Sequence, residues 1–197
     1  QTVLNTPGWH LTGLVPTTDG GVAAVAHQDD FEGTTPRKAW LVRFSTSGDL
    51  VGKSTIYTHN GKGKGVHGLR GTALAARADG GFMVGVSHII ADGPKTVPRL
   101  IGVSANGQVE WTKNALYNVC GEGVIQALRR YPNGDVLDVR VCPGQYGGRT
   151  NSYVTRRKTS GTSVWNESTV ARYGVGGADI GLQDGIVVGS ATAWVVG

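Results

Sequence analysis

A chain of 197 residues with 32 Gly, 39% hydrophobic residues and one Met suits one domain with a real core, and its glycine shows neither the three-residue period of collagen nor the polar setting of disorder. The formal net charge is +5 and the pI is near 9.4, but the basic residues are scattered, with only small groups at Lys62, Lys64 and Arg70 and at Arg156, Arg157 and Lys158. A basic balance raises the chance of an anionic partner such as nucleic acid, an acidic glycan or an acidic protein, but an excess this modest and scattered reads first as solubility, and nucleic acid is not the partner expected; no apolar run approaches the ~18 residues of a membrane span.

In chain order, Gln1 is a residue often found at the cut end of an exported chain, although a boundary of any other kind looks the same. QTVLNT (1–6) is a short strand candidate, followed by a first full strand at 11–17. TTDGGVAAVAH (17–27) then carries Asp-Gly into a β-rich run. The same signal returns in RADGGFMVGVSH (77–88), YPNGDVLDVRVC (131–142) and LQDGIVVGSA (182–191). Asp-Gly or Asn-Gly between apolar runs predicts a hairpin with a type I′ turn. A second family lies between these: WLVRFSTSGDLVGKSTI (40–56), RLIGVSANGQVEWTKNAL (99–116) and YVTRRKTSGTSVWNESTV (153–170), each a strand, a turn ending in Gly, and a strand.

The spacing from Gly20 to Gly80 is 60, then 54 to Gly134 and 51 to Gly185, a period that belongs to solenoids and propellers. The second copy shows the unit: strands at 72–78, 82–88, 99–105 and 108–116. Four antiparallel strands per unit is a propeller blade. The fourth copy has strand positions near 178–182, 186–190 and 192–196 and lacks a last strand, for which residues 1–6 stand in. The expectation is therefore an all-β single domain over 1–197, a small β-propeller of about four four-stranded antiparallel blades. Its N- and C-terminal strands close one blade, since an unclosed ring leaves a sheet edge open. A fragment of a larger propeller and a β-sandwich are the alternatives.

The phrases RLIGVSANGQVEWTKNAL and YVTRRKTSGTSVWNESTV resemble the repeats of PQQ-like and delta-60-type bacterial β-propellers. Trp111 and Trp165 follow Gly107 and Gly161 at the same offset, and Gly52 stands where the first copy would have its Trp. The resemblance implies architecture only. It brings no active site, and no cofactor is carried over.

Such a topology sends the short Gly turns to one end and the longer connections to the other. The longer set is 27–38, 88–99 and 142–152 within units, and 57–71, 117–123 and 171–177 between them. Long loops on a rigid scaffold are where recognition usually lives, and Trp9, Phe31, Tyr57, Tyr117, Tyr146 and Tyr173, in or beside these segments, suit contact anchors. All five histidines, His10, His27, His59, His67 and His88, fall there with Asp29, Asp30, Asp92 and Glu122. They lack the HxH or HExxH spacing of a metal site, so no metal is expected. GKGKG (61–65) lacks the spacing of a phosphate loop and reads as a flexible basic loop. Cys120 and Cys142 fall in adjacent elements of this end and are expected to form a disulfide in an exported protein. Trp40, Trp111, Trp165 and Trp194 lie in strands and are expected in the core.

No nucleophile elbow or other catalytic signature is present. The function expected is that of a non-enzymatic, periplasmic or secreted protein that binds another protein through this end, such as an inhibitor or immunity protein of a secreted enzyme or toxin. The residues expected to bind the partner are His27, Asp29, Asp30, Phe31, His59, Lys62, Lys64, His67, Arg70, His88, Tyr146 and Arg149. A carbohydrate-binding propeller lectin, and a hydrolase or lyase using a His/Asp site, are the competing classes.

Overall fold

The computed structural model describes residues 9–28, 37–59, 66–90, 95–115, 123–142, 151–170, 184–188 and 192–196. They hold fourteen strands and, among the described residues, no helix. β1 (Trp9–Pro16), β2 (Val22–Gln28), β3 (Arg37–Phe44) and β4 (Leu50–His59) form sheet 1 as an antiparallel meander. β5 (Val66–Ala76), β6 (Phe82–Ile90), β7 (Lys95–Val103) and β8 (Val109–Asn114) form sheet 2. β9 (Val124–Arg130), β10 (Val136–Cys142), β11 (Asn151–Arg157) and β12 (Ser163–Val170) form sheet 3. β13 (Asp184–Val188) and β14 (Thr192–Val196) pair with each other. Among the described residues, the expected four four-stranded units are three four-stranded sheets and one two-stranded pair, and the expected strands at 1–6 and near 178–182 lie outside them.

The sheets stack through their apolar faces. Ala23, Val25, Ala39, Leu41 and Ile56 of sheet 1 pack on Leu74, Phe82, Val84, Val86, Ile101 and Val103 of sheet 2. The other face of sheet 2, with Ala73, Ala75, Met83 and Leu100, packs on Ile125, Leu128 and Val136 of sheet 3. The far faces of sheets 1 and 3 also carry buried apolar sets: Ala24, Ala26, Trp40 and Val42 on one, Ala127, Tyr131, Leu137, Val139 and Val154 on the other. A sheet buried on both faces needs apolar residues at successive positions, which is why the strands read as runs such as VAAVA rather than as clean alternation. The first strands neighbour one another, β1 beside β5, β5 beside β9, β9 beside β13.

Six hairpin turns share one geometry. In each, the first residue's amide donates to the fifth residue's carbonyl, and the fourth residue, a glycine, donates back to the first residue's carbonyl: Thr17/Gly20/Gly21, Ser45/Gly48/Asp49, Arg77/Gly80/Gly81, Ser104/Gly107/Gln108, Tyr131/Gly134/Asp135 and Lys158/Gly161/Thr162. The glycines have φ between +74° and +90°. This is a three-residue loop, a type I turn followed by a glycine bulge, and not the expected type I′ turn. The residue before each glycine is Asp, Asn or Ser, and Asp79 Oδ1 and Asn133 Oδ1 accept amide hydrogen bonds from Gly81 (3.0 Å) and Asp135 (3.1 Å). That local side-chain bond is what selects those residue types. The fourth Asp-Gly departs: Asp184 and Gly185 lie within β13, opposite Val196 and Val195, and make no turn.

The place of the missing Trp at Gly52 has a packing reason. Gly102 of β7 faces Trp111 of β8, and a Cβ on Gly102 would stand 2.1 Å from the indole Cε2. In sheet 1 the same cross-strand pair is reversed, with Arg43 on β3 and Gly52 on β4. One large group and one small one share the site in either order.

Candidate functional site

The strands run further from the turns than the sequence suggests. Residues 57–71 were expected as one long loop; instead β4 continues to His59 and β5 begins at Val66. Residues 88–99 were likewise expected as a loop, yet β6 continues to Ile90 and β7 begins at Lys95. The reason is backbone pairing. The apolar run of β6 extends through His88, Ile89 and Ile90, and its amides and carbonyls are met on one side by 66–70 and on the other by 95–98. Two glycines in VHGLRG hid that strand.

A β-bulge then aims the side chains. Ala39 pairs with Tyr57 and Trp40 with Thr55, leaving Ile56 unopposed. Before the bulge the inward residues of β4 are Gly52, Ser54 and Ile56; after it they are Tyr57 and His59. An extra residue switches the face that a strand presents. Tyr57 and His59 thereby meet His88 of sheet 2. The His88 ring stacks on Tyr57 at 6.3 Å and on His59 at 5.2 Å, with interplanar angles of 16° and 17°.

Arg99 joins them from β7. Val86 is its direct partner in β6, so His88 is its diagonal neighbour on the same face. The guanidinium lies 5.9 Å from the Tyr57 ring centroid, and Nη1 donates to Asn114 Oδ1 at 2.7 Å. On sheet 1 the same seam continues with His27, paired to Ala39 on one side and to His10 on the other. The His10 and His27 rings stack at 5.3 Å. The result is a seam of four imidazoles, a phenol and a guanidinium between sheets 1 and 2, at the end opposite the six turns.

His88 is 5% exposed, and its Nδ1 has no hydrogen-bond partner. Burial pushes its pKa down to about 4, with the neighbouring His59 and Arg99 adding to the shift. At neutral pH the ring is therefore an uncharged hydrogen-bonding group. A general base is most effective with a pKa near the working pH, so His88 is poorly set for proton transfer at pH 7. The Arg99 Nε is also buried without a partner.

A second polar centre braces this one. Asp138 of β10 is fully buried, accepts from Arg157 Nε at 2.8 Å, and lies 3.2 Å from Arg140 Nε. Arg140 also donates to Thr155 Oγ1 at 2.7 Å and to the carbonyl of Ala115. The Ala115 amide in turn donates to the carbonyl of Pro98 at 3.0 Å. The ionic group of sheet 3 thus holds the residues on either side of Arg99's contact, Asn114–Ala115 and Pro98.

Of the residues expected to bind a partner, His27, His59 and His88 come together in the seam. His67 and Arg70 lie in β5, with Arg70 paired to Ser87. Asp29, Asp30, Phe31, Lys62, Lys64, Tyr146 and Arg149 lie outside the described residues, as does Cys120 of the expected disulfide; Cys142 ends β10. Among the described residues no group of three or more His, Cys, Asp or Glu is placed to hold a metal. Arg99 was absent from the sequence-based set, and Tyr57 stood there only among the aromatics beside the longer connections. The signal for Arg99 was its near-symmetry with His88 about the 91–94 connection, legible only once β6 and β7 are known to reach that far.

Trp40 is buried and Trp111 and Trp165 are packed against core clusters, as expected for strand tryptophans. Among the described residues no helix is long and apolar enough to cross a membrane. Comparison with family models and with curated proteins found no match to this chain.

Proposed function

We propose that this chain is a non-catalytic recognition protein that grips a protein partner with the end carrying the ring seam and the longer connections. The observation that carries this reading is the polarity of the scaffold. One end is six tight turns of one geometry, closed by their own hydrogen bonds. The other end gathers rings and a guanidinium with unpartnered polar atoms on His88 and Arg99. Aromatic groups and Arg are the residue types enriched where protein surfaces bind tightly. An inhibitor or immunity protein of a secreted enzyme or toxin is the form of this role that suits a small rigid chain, with export and a disulfide between Cys120 and Cys142 as parts of the same reading.

The same proposal includes closure of the sheets into a four-bladed propeller with repeats of the PQQ-like or delta-60 type, residues 1–6 adding the last strand to the unit of β13 and β14. The buried apolar faces on the far sides of both sheet 1 and sheet 3 support it, because an unpaired apolar sheet face is unstable in water.

The test is capture. The purified chain is used as bait on exported proteins of the source cell, and retained proteins are identified by mass spectrometry. One stoichiometric enzyme or toxin, silenced on binding, supports the proposal. Repeated capture of no protein overturns it, and glycan binding on an array would then favour a lectin.

A further inference from the structure

We propose that the seam lined by Tyr57, His59, His88 and Arg99 is a carboxylate-binding site, which takes an Asp or Glu side chain of the protein partner. The partner clause rests on the reading above; the carboxylate site rests on the geometry of the seam.

Two buried polar atoms in the seam have no partner: Nε of Arg99 and Nδ1 of His88. Such atoms are costly to leave unmet. Arg99 uses one Nη1 bond on Asn114 Oδ1 and keeps the rest of its fork, and that fork matches a carboxylate in shape and charge. The walls are flat, with Tyr57, His59 and His88 within 17° of parallel in their stacked pairs, which favours a planar group over a tetrahedral one.

The charge of the seam points the same way. The described carboxylates of sheets 1 and 2 are Asp19, Asp49, Asp79 and Glu110, at or next to the turns of the opposite end. Asp19 is paired with Arg43, and Asp79 and Glu110 with Arg77. None of them is placed to neutralise Arg99. Burial holds His88 uncharged at neutral pH, and the neighbouring His59 and Arg99 add to the effect. Among the described side chains of the seam, the Arg99 cation beside a neutral imidazole matches a monoanion better than a phosphate dianion.

The experiment titrates the whole chain with a hexaglutamate peptide, with hexaglutamine, and with inorganic phosphate. Heats of binding and the histidine ring resonances are followed together. The expected result is binding of hexaglutamate only, with shifts in the His59 and His88 signals and a rise in the pKa of His88 as the bound anion offsets the field of Arg99. Arg99→Gln should weaken that binding about tenfold or more, as loss of a charge-assisted hydrogen bond predicts. Arg99→Lys should restore it only in part. His59→Gln, at a half-buried position, is the second variant should Arg99→Gln fail to fold, and it should weaken binding too.

Equal binding of the two peptides, tighter binding of phosphate, or no change in Arg99→Gln would overturn the site. A captured protein partner held equally well by wild type and Arg99→Gln would overturn the site and leave the recognition reading intact. Hexaglutamate binding with no protein ever captured would do the reverse.

Discussion

Asp138→Asn probes the buried ionic group that braces the seam. The native carboxylate is fully buried between two guanidiniums whose side chains are 3% and 7% exposed, Arg140 at 3.2 Å and Arg157 at 2.8 Å. The amide keeps the shape and can still accept a bond, but it removes the only negative charge of the group. Two cations are then left in a low-dielectric interior. Breaking a buried pair in this way costs about 3–5 kcal/mol, because the surviving charge has lost its compensation. Against a typical total of about 5–15 kcal/mol that is a large share. For a chain of this length it lowers the melting temperature by roughly 10 °C. Urea unfolding followed by tryptophan fluorescence measures it: the midpoint should fall while the slope stays constant. A double-mutant cycle with Arg157→Met isolates the pair, and the double variant should recover much of the loss. A cost of Asp138→Asn below about 1 kcal/mol would refute the reasoning, since that is the range of a solvent-screened pair. Asp19→Asn is the control: its carboxylate pairs with Arg43 in the open, and its removal should move the midpoint very little.

Four further outcomes are expected. Gly102→Ala should destabilise by about 1–3 kcal/mol, because the new Cβ meets the Trp111 indole and the core must shift; the emission of Trp111 reports the displacement. Gly134→Ala should cost more than Gly48→Asn in thermal unfolding. Gly134 has φ +90° with Ala78 Cβ 2.7 Å from the added carbon, whereas the space around Gly48 is open and Asn tolerates positive φ. Stability should fall as pH drops from the ordinary histidine range toward 4. The folded His88 binds its proton more weakly than the unfolded chain does, so the unfolded state takes up more protons in that window; His88→Gln should flatten the slope. Alkylation of the denatured chain before reduction should label neither Cys120 nor Cys142, and both afterwards, if the proposed disulfide is present.

The repeat was legible because the turns are local. A bulge glycine at positive φ, preceded by Asp, Asn or Ser whose side chain caps the turn, leaves the same trace six times, whatever surrounds it. Even there the turn type was misread, since Asp-Gly suits both the type I′ turn and the glycine bulge. The fourth Asp-Gly, drawn into β13, shows that a dipeptide proposes a turn and the ladder disposes of it.

The seam was half legible. Histidines at the ends of predicted strands marked His27, His59 and His88 as belonging to one end. Their stacking was not readable, because it depends on the unopposed Ile56, which turns Tyr57 and His59 inward. Tyr57 was legible only as an aromatic beside a long connection, and Arg99 was hidden in a segment that looked like a loop. Glycine-bearing VHGLRG becomes strand only when the long apolar run of β6 demands a partner for its backbone.

By itself, then, the amino-acid sequence determined the all-β character, the four-strand period and the end at which the rings collect, since these follow from local turn chemistry and from apolar runs a few residues long. Only the tertiary structure decided which side chains meet. A one-residue bulge in β4, a large-for-small exchange between Gly52 and Trp111, and a buried Asp138 balancing two arginines all act across strands or sheets. The physical reason is the same in each case. Register and packing are set by the neighbour that an element finds in space, and no window along the chain contains it.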